Sequence, residues 1–293
     1  MGRAGDSNEI TRQYFDSVLL KMSHIDGKLP STGFKLFGEA FDTPVMTAAL
    51  SHLNNTRENG MVQMALGAAQ AGAVYWCGMG EKEELEAITA TGARTIKIIK
   101  PHADNDIIYD KLEHAQKCGV LAVGMDIDHS FNSRGEYDNV MGLPMRPKTM
   151  EELREFVNAS SVPFIVKGVL SERDAEKCLE IGAGGIVVSH HHGIMDYAVP
   201  PLKILPDIVH IIDGRIPVFV DCGVNSGMDA FKALALGATA VCVGRALMGP
   251  LAEQGADGVR EAIREMTAQL AGVMARTGYG SLEEIDDSCI FQR

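Results

Sequence analysis

Four apolar runs of this chain end in residues able to do chemistry: Lys167-Gly168, Ser189-His190-His191-His192-Gly193, Asp221-Cys222-Gly223-Val224-Asn225 and Gly244-Arg245. A histidine at such a position suits general-base work, because its ordinary pKa lies close to neutral pH. Gly223, followed by Asn225, Ser226 and Gly227 at a helix start, offers backbone N–H groups to an anion, and Gly244-Arg245 can add a cation at the same place. These glycines therefore read either as a phosphate cradle or as plain tight turns. Lys167 leaves an apolar run, where an unpaired ammonium is costly, so it faces either an electron-rich ligand or a carboxylate such as Asp126 or Asp221. On an extended strand successive side chains alternate, which puts His190 and His192 on one face and His191 on the other. Adjacent histidines on one strand cannot all ligate one ion, so no metal is expected.

The elements that must carry these groups are countable. Eight short β-branched runs recur at 43–50, 73–79, 94–100, 120–127, 163–169, 185–192, 217–224 and 240–247. Amphipathic stretches separate them, among them EKEELEAITATG, NDIIYDKLEHAQKCG and ERDAEKCLEIG, several closing on a glycine as helix ends prefer. The strands are continuously apolar rather than alternating, as in a parallel sheet covered outside and filled within. Eight strand–helix units predict an α/β fold, a single (β/α)8 TIM barrel over 43–293 with an N-terminal helical cap over 1–42. In that fold ligands meet the C-terminal strand ends, where all four segments fall. The stretch 128–148 is the longest strand-to-helix excursion and is a candidate lid.

The chain's 293 residues fit one such domain, and 46% hydrophobic residues suffice for a large core. A formal net charge of −12 argues against a nucleic-acid partner, which needs clustered Lys and Arg. No apolar run approaches the length of a membrane span, and no leader pattern opens the chain, so no membrane partner and a cytoplasmic location are expected. Six scattered cysteines without a C-x-x-C pair disfavour a zinc knuckle and a disulfide framework.

Read together, VKGVLSERDAEKCLEIGAGGIVVSHHHG, PVFVDCGVNSGMDAFKALALGATAVCVGRALMGPLAEQG and REMTAQLAGVMARTGYGSLEEI resemble the FMN-dependent α-hydroxy-acid oxidase and dehydrogenase family, which includes lactate and glycolate oxidases. The resemblance covers roughly 43–293 and is closest in the second half. It implies FMN as cofactor, a small-molecule substrate, and a homo-oligomer of tetramer size or higher. It also implies that Lys167 contacts the flavin and that Asp221, Gly223 and Asn225 serve its ribityl-phosphate region. Gly244 and Arg245 fall on the phosphate. Ala48, Ala49 and Leu50 lie beside the ring, with Cys77 and Lys97 near a serine and a glutamine that touch the flavin. Aligning the family's Ser-Asn-His-Gly-Gly-Arg motif on Ser189 makes His191 the catalytic base.

The same alignment puts Ile194 where the family has the arginine that grips the substrate carboxylate, and neither Ile194 nor Met195 can imitate a bidentate pair. The family's N-terminal substrate tyrosine has no counterpart, its Gln-x-Tyr pair reads Lys97-Ile98-Ile99, and the long fourth loop keeps only Arg134 and Arg146 as arginines. The expected function is an FMN-dependent oxidoreductase acting on a hydroxy-acid-like substrate. A flavin-dependent isomerase and a catalytically altered flavin- or ligand-binding barrel are the alternatives.

Overall fold

The computed structural model describes residues 3–291. Helix α1 (Ser7–Ser17) opens the chain, capped by Asp6, whose carboxylate accepts from the Asn8 N–H. Strand β1 (Leu19–Leu20) and a β2–β3 hairpin (Phe34–Leu36, Glu39–Phe41) lead into the barrel. The barrel alternates β4 (Val45–Thr47), α2 (Gly60–Gln70), β5 (Tyr75–Cys77), α3 (Lys82–Ala90), β6 (Thr95–Ile99), α4 (Asn105–Lys117) and β7 (Ala122–Asp126). A second hairpin, β8–β9 (Asn139–Val140, Leu143–Pro144), is followed by α5 (Met150–Ala159), β10 (Phe164–Val169), α6 (Glu172–Glu180), β11 (Gly185–Val188) and α7 (Pro201–Ile212). Then come β12 (Val218–Val220), α8 (Gly227–Ala235), β13 (Ala240–Val243), α9 (Met248–Thr277, broken at Gly255) and β14 (Ile290–Phe291).

All eight expected strands are present and parallel, in the order β4-β13-β12-β11-β10-β7-β6-β5. The ring closes between β4 and β5: the Thr47 N–H donates to the Val74 carbonyl at 3.2 Å and Leu50 bridges Cys77. Inward positions of successive strands fill the barrel with Met46, Trp76, Ile96, Ile98, Ile165, Val187 and Phe219. Trp76 and Phe219 meet edge to face at 5.2 Å. Phe34, Leu36 and Phe41 of the β2–β3 hairpin join this inner cluster and plug the N-terminal end of the barrel. The outward positions pack against the helices in a second, larger cluster.

The cap is divided between the two ends of the barrel. Of the helical cap expected over 1–42 only Ser7–Ser17 is α-helix, because Val18 turns extended and β1 pairs antiparallel with β14. Helix α1 lies at the C-terminal end, where Thr11 Oγ1 meets His190 Nε2 at 2.7 Å. Arg12 grips Asp229 of α8 through two bonds of 2.8 and 3.0 Å. The Asp229 side chain is 5% exposed and also accepts the Asn225 N–H at 3.0 Å. Asp229→Ala therefore leaves a backbone donor without its acceptor and Arg12 with only Asp16 and the Gly223 carbonyl. It is expected to cost about 2–4 kcal/mol, on the scale of charge-assisted bonds. Thermal unfolding checks this, and an unchanged Tm means that α1 is held by its apolar side alone.

Candidate active site

The C-terminal mouth of the barrel holds an open cleft lined by Ala48, Ala49 and Leu50 after β4, Lys167 on β10, His191 and His192 after β11, Asp221 to Asn225 after β12, and Gly244 and Arg245 after β13. Ten of the residues expected on sequence grounds are thus brought together: Ala48, Ala49, Leu50, Lys167, His191, Asp221, Gly223, Asn225, Gly244 and Arg245. Ser189 lies beneath them, 1% exposed, and its hydroxyl accepts the His191 N–H at 3.0 Å, fixing the backbone of that histidine.

Cys77 and Lys97 are not brought in. In β5 and β6 the inward positions are Trp76, Ile96 and Ile98, so Cys77 and Lys97 point outward, one residue out of phase with the mouth. Cys77 is buried among the apolar residues behind the sheet, and burial pushes its thiol pKa up. Lys97 donates to the Gly78 carbonyl. The inward residue that reaches the mouth from the end of β6 is Lys100, bonded to Asp126 at 2.9 Å.

Lys167 is the hub of a buried charge cluster. Its ammonium lies 3.0 Å from Asp126 Oδ1, 3.6 Å from Asp221 Oδ2 and 3.3 Å from His191 Nδ1. Burial works against the charge, but Asp126, Asp221 and Asp128 outweigh it and hold the lysine pKa well above its ordinary value. Burial likewise opposes ionisation of Asp126, and Lys167, Lys100 and His191 together overcome it, keeping this carboxyl below the usual range. Of the two sequence readings of Lys167 the carboxylate one holds, since it is salt-bridged to Asp126 and Asp221, and its side chain also lines the cleft.

The histidine triplet does not alternate as a strand would. Strand β11 ends at Val188, and His191 and His192 take left-handed conformations with φ of 47° and 58°. His190 is turned under α1, 2% exposed, with Nδ1 accepting the Gly193 N–H at 2.9 Å. His192 reaches Asn8 at 2.5 Å. Only His191 enters the charged cluster: Nδ1 lies 3.0 Å from Asp128 Oδ1, and Nε2 lies 3.0 Å from His129 Nε2. With Nδ1–H given to Asp128, the lone pair of Nε2 is the basic site. His129, whose Nδ1 lies 3.3 Å from Asp138 Oδ2, is held below its ordinary pKa first by burial, then by Lys100 and His191.

Asp128 and His129 escaped the sequence reading. They sit in a single helical turn, Ile127–Ser130, after β7, where no periodicity marks them, although the Asp-Ile-Asp-His string at a strand end was a usable signal. Asp128, His129 and His191 are the one group of possible metal ligands among the described residues. Asp128 and His129 meet opposite nitrogens of the His191 ring, which fits a hydrogen-bonded relay better than one shared ion. The lid stretch 128–148 folds as the β8–β9 hairpin, tied back where the Met145 N–H donates to the Asp138 carbonyl at 2.8 Å. Arg146 is spent on Glu152 and the Ala103 carbonyl, and Arg134 is exposed on that loop, so neither replaces the missing arginine.

The cleft fits a flavin phosphate. Arg245 has no carboxylate partner among the described residues, and it faces the same cleft as the Gly223–Asn225 turn. At Gly223, with φ of +94°, an added Cβ would fall 2.8 Å from Thr11 and 3.0 Å from Phe15, so only glycine lets α1 close against this turn.

Comparison with known proteins agrees. The family described as FMN-dependent dehydrogenase matches residues 3–152 and 146–292. Glycolate oxidase of Spinacia oleracea is 27% identical over 98% of this chain and 86% of its own length, and glycolate oxidase 3 of Arabidopsis thaliana is 28% identical over 92% and 81%. A mandelate oxidase solved with 2-hydroxy-phenylacetamide superposes with a TM-score of 0.88 at 28% identity, covering 96% of this chain and 88% of that one. A second mandelate oxidase structure, carrying a monooxide FMN adduct, also gives 0.88, with 96% and 90% covered. Among the described residues no helix is long and apolar enough to cross a membrane. The match over nearly the whole chain, on a barrel whose mouth gathers the expected flavin-facing residues, makes this protein a member of the FMN-dependent α-hydroxy-acid oxidase and dehydrogenase family, an FMN-dependent oxidoreductase.

Proposed function

We propose that the protein oxidises a small hydroxy acid, or reversibly reduces the matching oxo acid, with His191 as the base. The observation that carries this is the His191 ring at the cleft, held by Asp128 at 3.0 Å on Nδ1, with Nε2 3.0 Å from His129 Nε2. Asp128 fixes the tautomer and offsets the charge that the ring gains on taking the substrate hydroxyl proton. His129 yields its place at Nε2 to that hydroxyl. Lys167, Ala48–Leu50, Gly223, Asn225, Gly244 and Arg245 would hold the flavin. Bound FMN supplies the hydride acceptor. Lys167 holds a positive charge in a buried site, where it favours an electron-rich neighbour.

The purified protein should be yellow and release FMN in near-equimolar amount on heating. Anaerobic mixing with a panel of 2-hydroxy acids should bleach it. Full FMN loading with no bleaching by any hydroxy acid overturns the substrate class. The His129–His191 pair supports a second reading, isomerisation with an acid and a base in one site; solvent isotope exchange into substrate without bleaching would distinguish it.

We also infer a cytoplasmic homo-oligomer of tetramer size or higher. Met22, Ile25 and Leu29 stand 73%, 89% and 96% exposed in one segment, apolar surface that assembly would cover.

A further inference from the structure

A second cavity of about 340 Å³ opens at the ends of β5 and β6, under the β8–β9 hairpin. Its inner wall is basic. Lys97 and Lys100 are only 6% and 7% exposed, and Lys111 of α4 stands half-buried near them. Lys100 is matched by Asp126, but Lys97 and Lys111 form no ion pair among the described residues. Burial, and then the neighbouring Lys97, pull the Lys111 pKa down, as expected of like charges with no counterion between them.

His102, 5% exposed, lines the same cavity, and its Nδ1 has no hydrogen-bond partner. Burial and then Lys111, Lys148 and Lys100 push its pKa down to about 4, so the ring is neutral at ordinary pH and can still donate one N–H. A buried polar atom left unpaired beside two unmatched ammonium groups is costly unless something satisfies them. Glu81 and Glu84 also line the cavity, but Glu81 is exposed, and neither lies within ion-pair distance of these lysines. Met141 and Leu143 of the hairpin supply an apolar wall.

We propose that this cavity binds the carboxylate of a small organic acid, with Lys97, Lys111 and His102 as donors and the acid's apolar body against Met141 and Leu143. Lys100 joins this cavity to the catalytic cluster, since its Asp126 partner lies 3.7 Å from His191 Nδ1. That an acid binds here does not depend on the hydroxy-acid reading above.

Calorimetric titration of the FMN-loaded protein with hexanoate tests it. Hexanoate should bind, and K97M and K111M should each weaken binding by about tenfold or more, the scale of one charge-assisted contact. The variants should keep the wild-type flavin spectrum, and the surface change K203M should leave binding unchanged. Absence of hexanoate binding, or wild-type affinity in both lysine variants, overturns the proposal. If hexanoate binds through the lysines while no hydroxy acid bleaches the flavin, the cavity assignment stands and the oxidation reading fails.

Discussion

Replacing His191 with alanine is expected to lower kcat by about 10²–10⁴, the range that a positioned general base contributes. Binding of FMN should be nearly unchanged, because the residues proposed to hold the flavin phosphate are carried by the turns after β12 and β13. Two neighbouring substitutions sharpen the assignment. His190→Ala removes a buried bond to Thr11 and should lower stability, with kcat affected only through the position of α1. His192→Ala removes a contact to Asn8 at the cleft edge. Stopped-flow measurement of flavin bleaching in the three variants checks this: if His191→Ala reduces the flavin at the wild-type rate while either neighbour does not, the base is misassigned. Asp128→Asn should fall between, since it preserves a contact to Nδ1 but loses the charge that stabilises the protonated ring.

Replacing Lys167 with methionine is the second large effect. Asp126 retains Lys100 at 2.9 Å, but Asp221 is left with no cation within ion-pair distance among the described residues. Breaking a buried pair by removing one partner costs about 3–5 kcal/mol, and the Lys100 contact places this case toward the lower end. The variant should also lose most of its flavin, since a buried positive charge facing the cleft becomes two partly unmatched carboxylates. Lys167→Arg keeps the charge, restores much of the stability, and fits the cleft poorly because the guanidinium is planar and larger. Urea unfolding with FMN content measured at each step separates the two effects. Wild-type values for both would remove Lys167 from the flavin's surroundings.

The contrast between residues placed well and residues placed badly from sequence has a geometric origin. Lys167, Asp221, Gly223, Gly244 and Arg245 stand at the ends of β10, β12 and β13 or just beyond them, next to glycines that announce the strand end, so their level in the barrel was readable. Cys77 and Lys97 sit inside strands that are buried on both faces, Tyr75–Cys77 and Thr95–Ile99 being buried throughout. Such runs carry no alternation to reveal which side chains point inward, and an error of one residue turns the side chain to the opposite face. The histidine triplet misled in another way. Alternation was assumed past Val188, where the chain had already left the strand for left-handed turns. Asp128 and His129 come to His191 only by closure of the barrel, across more than sixty positions of sequence, and nothing local marks that meeting.

The seam between β1 and β14 has a bearing on the order in which this protein can be made. Leu19 and Leu20 pair with Phe291 and Ile290, and α1 rests on the turns after β11 and β12, contacts separated by some 180 to 270 positions. During synthesis helix α1 is made long before its partners at His190, Gly223 and Asp229, so it can close over the mouth of the barrel only once β12 and α8 have followed it.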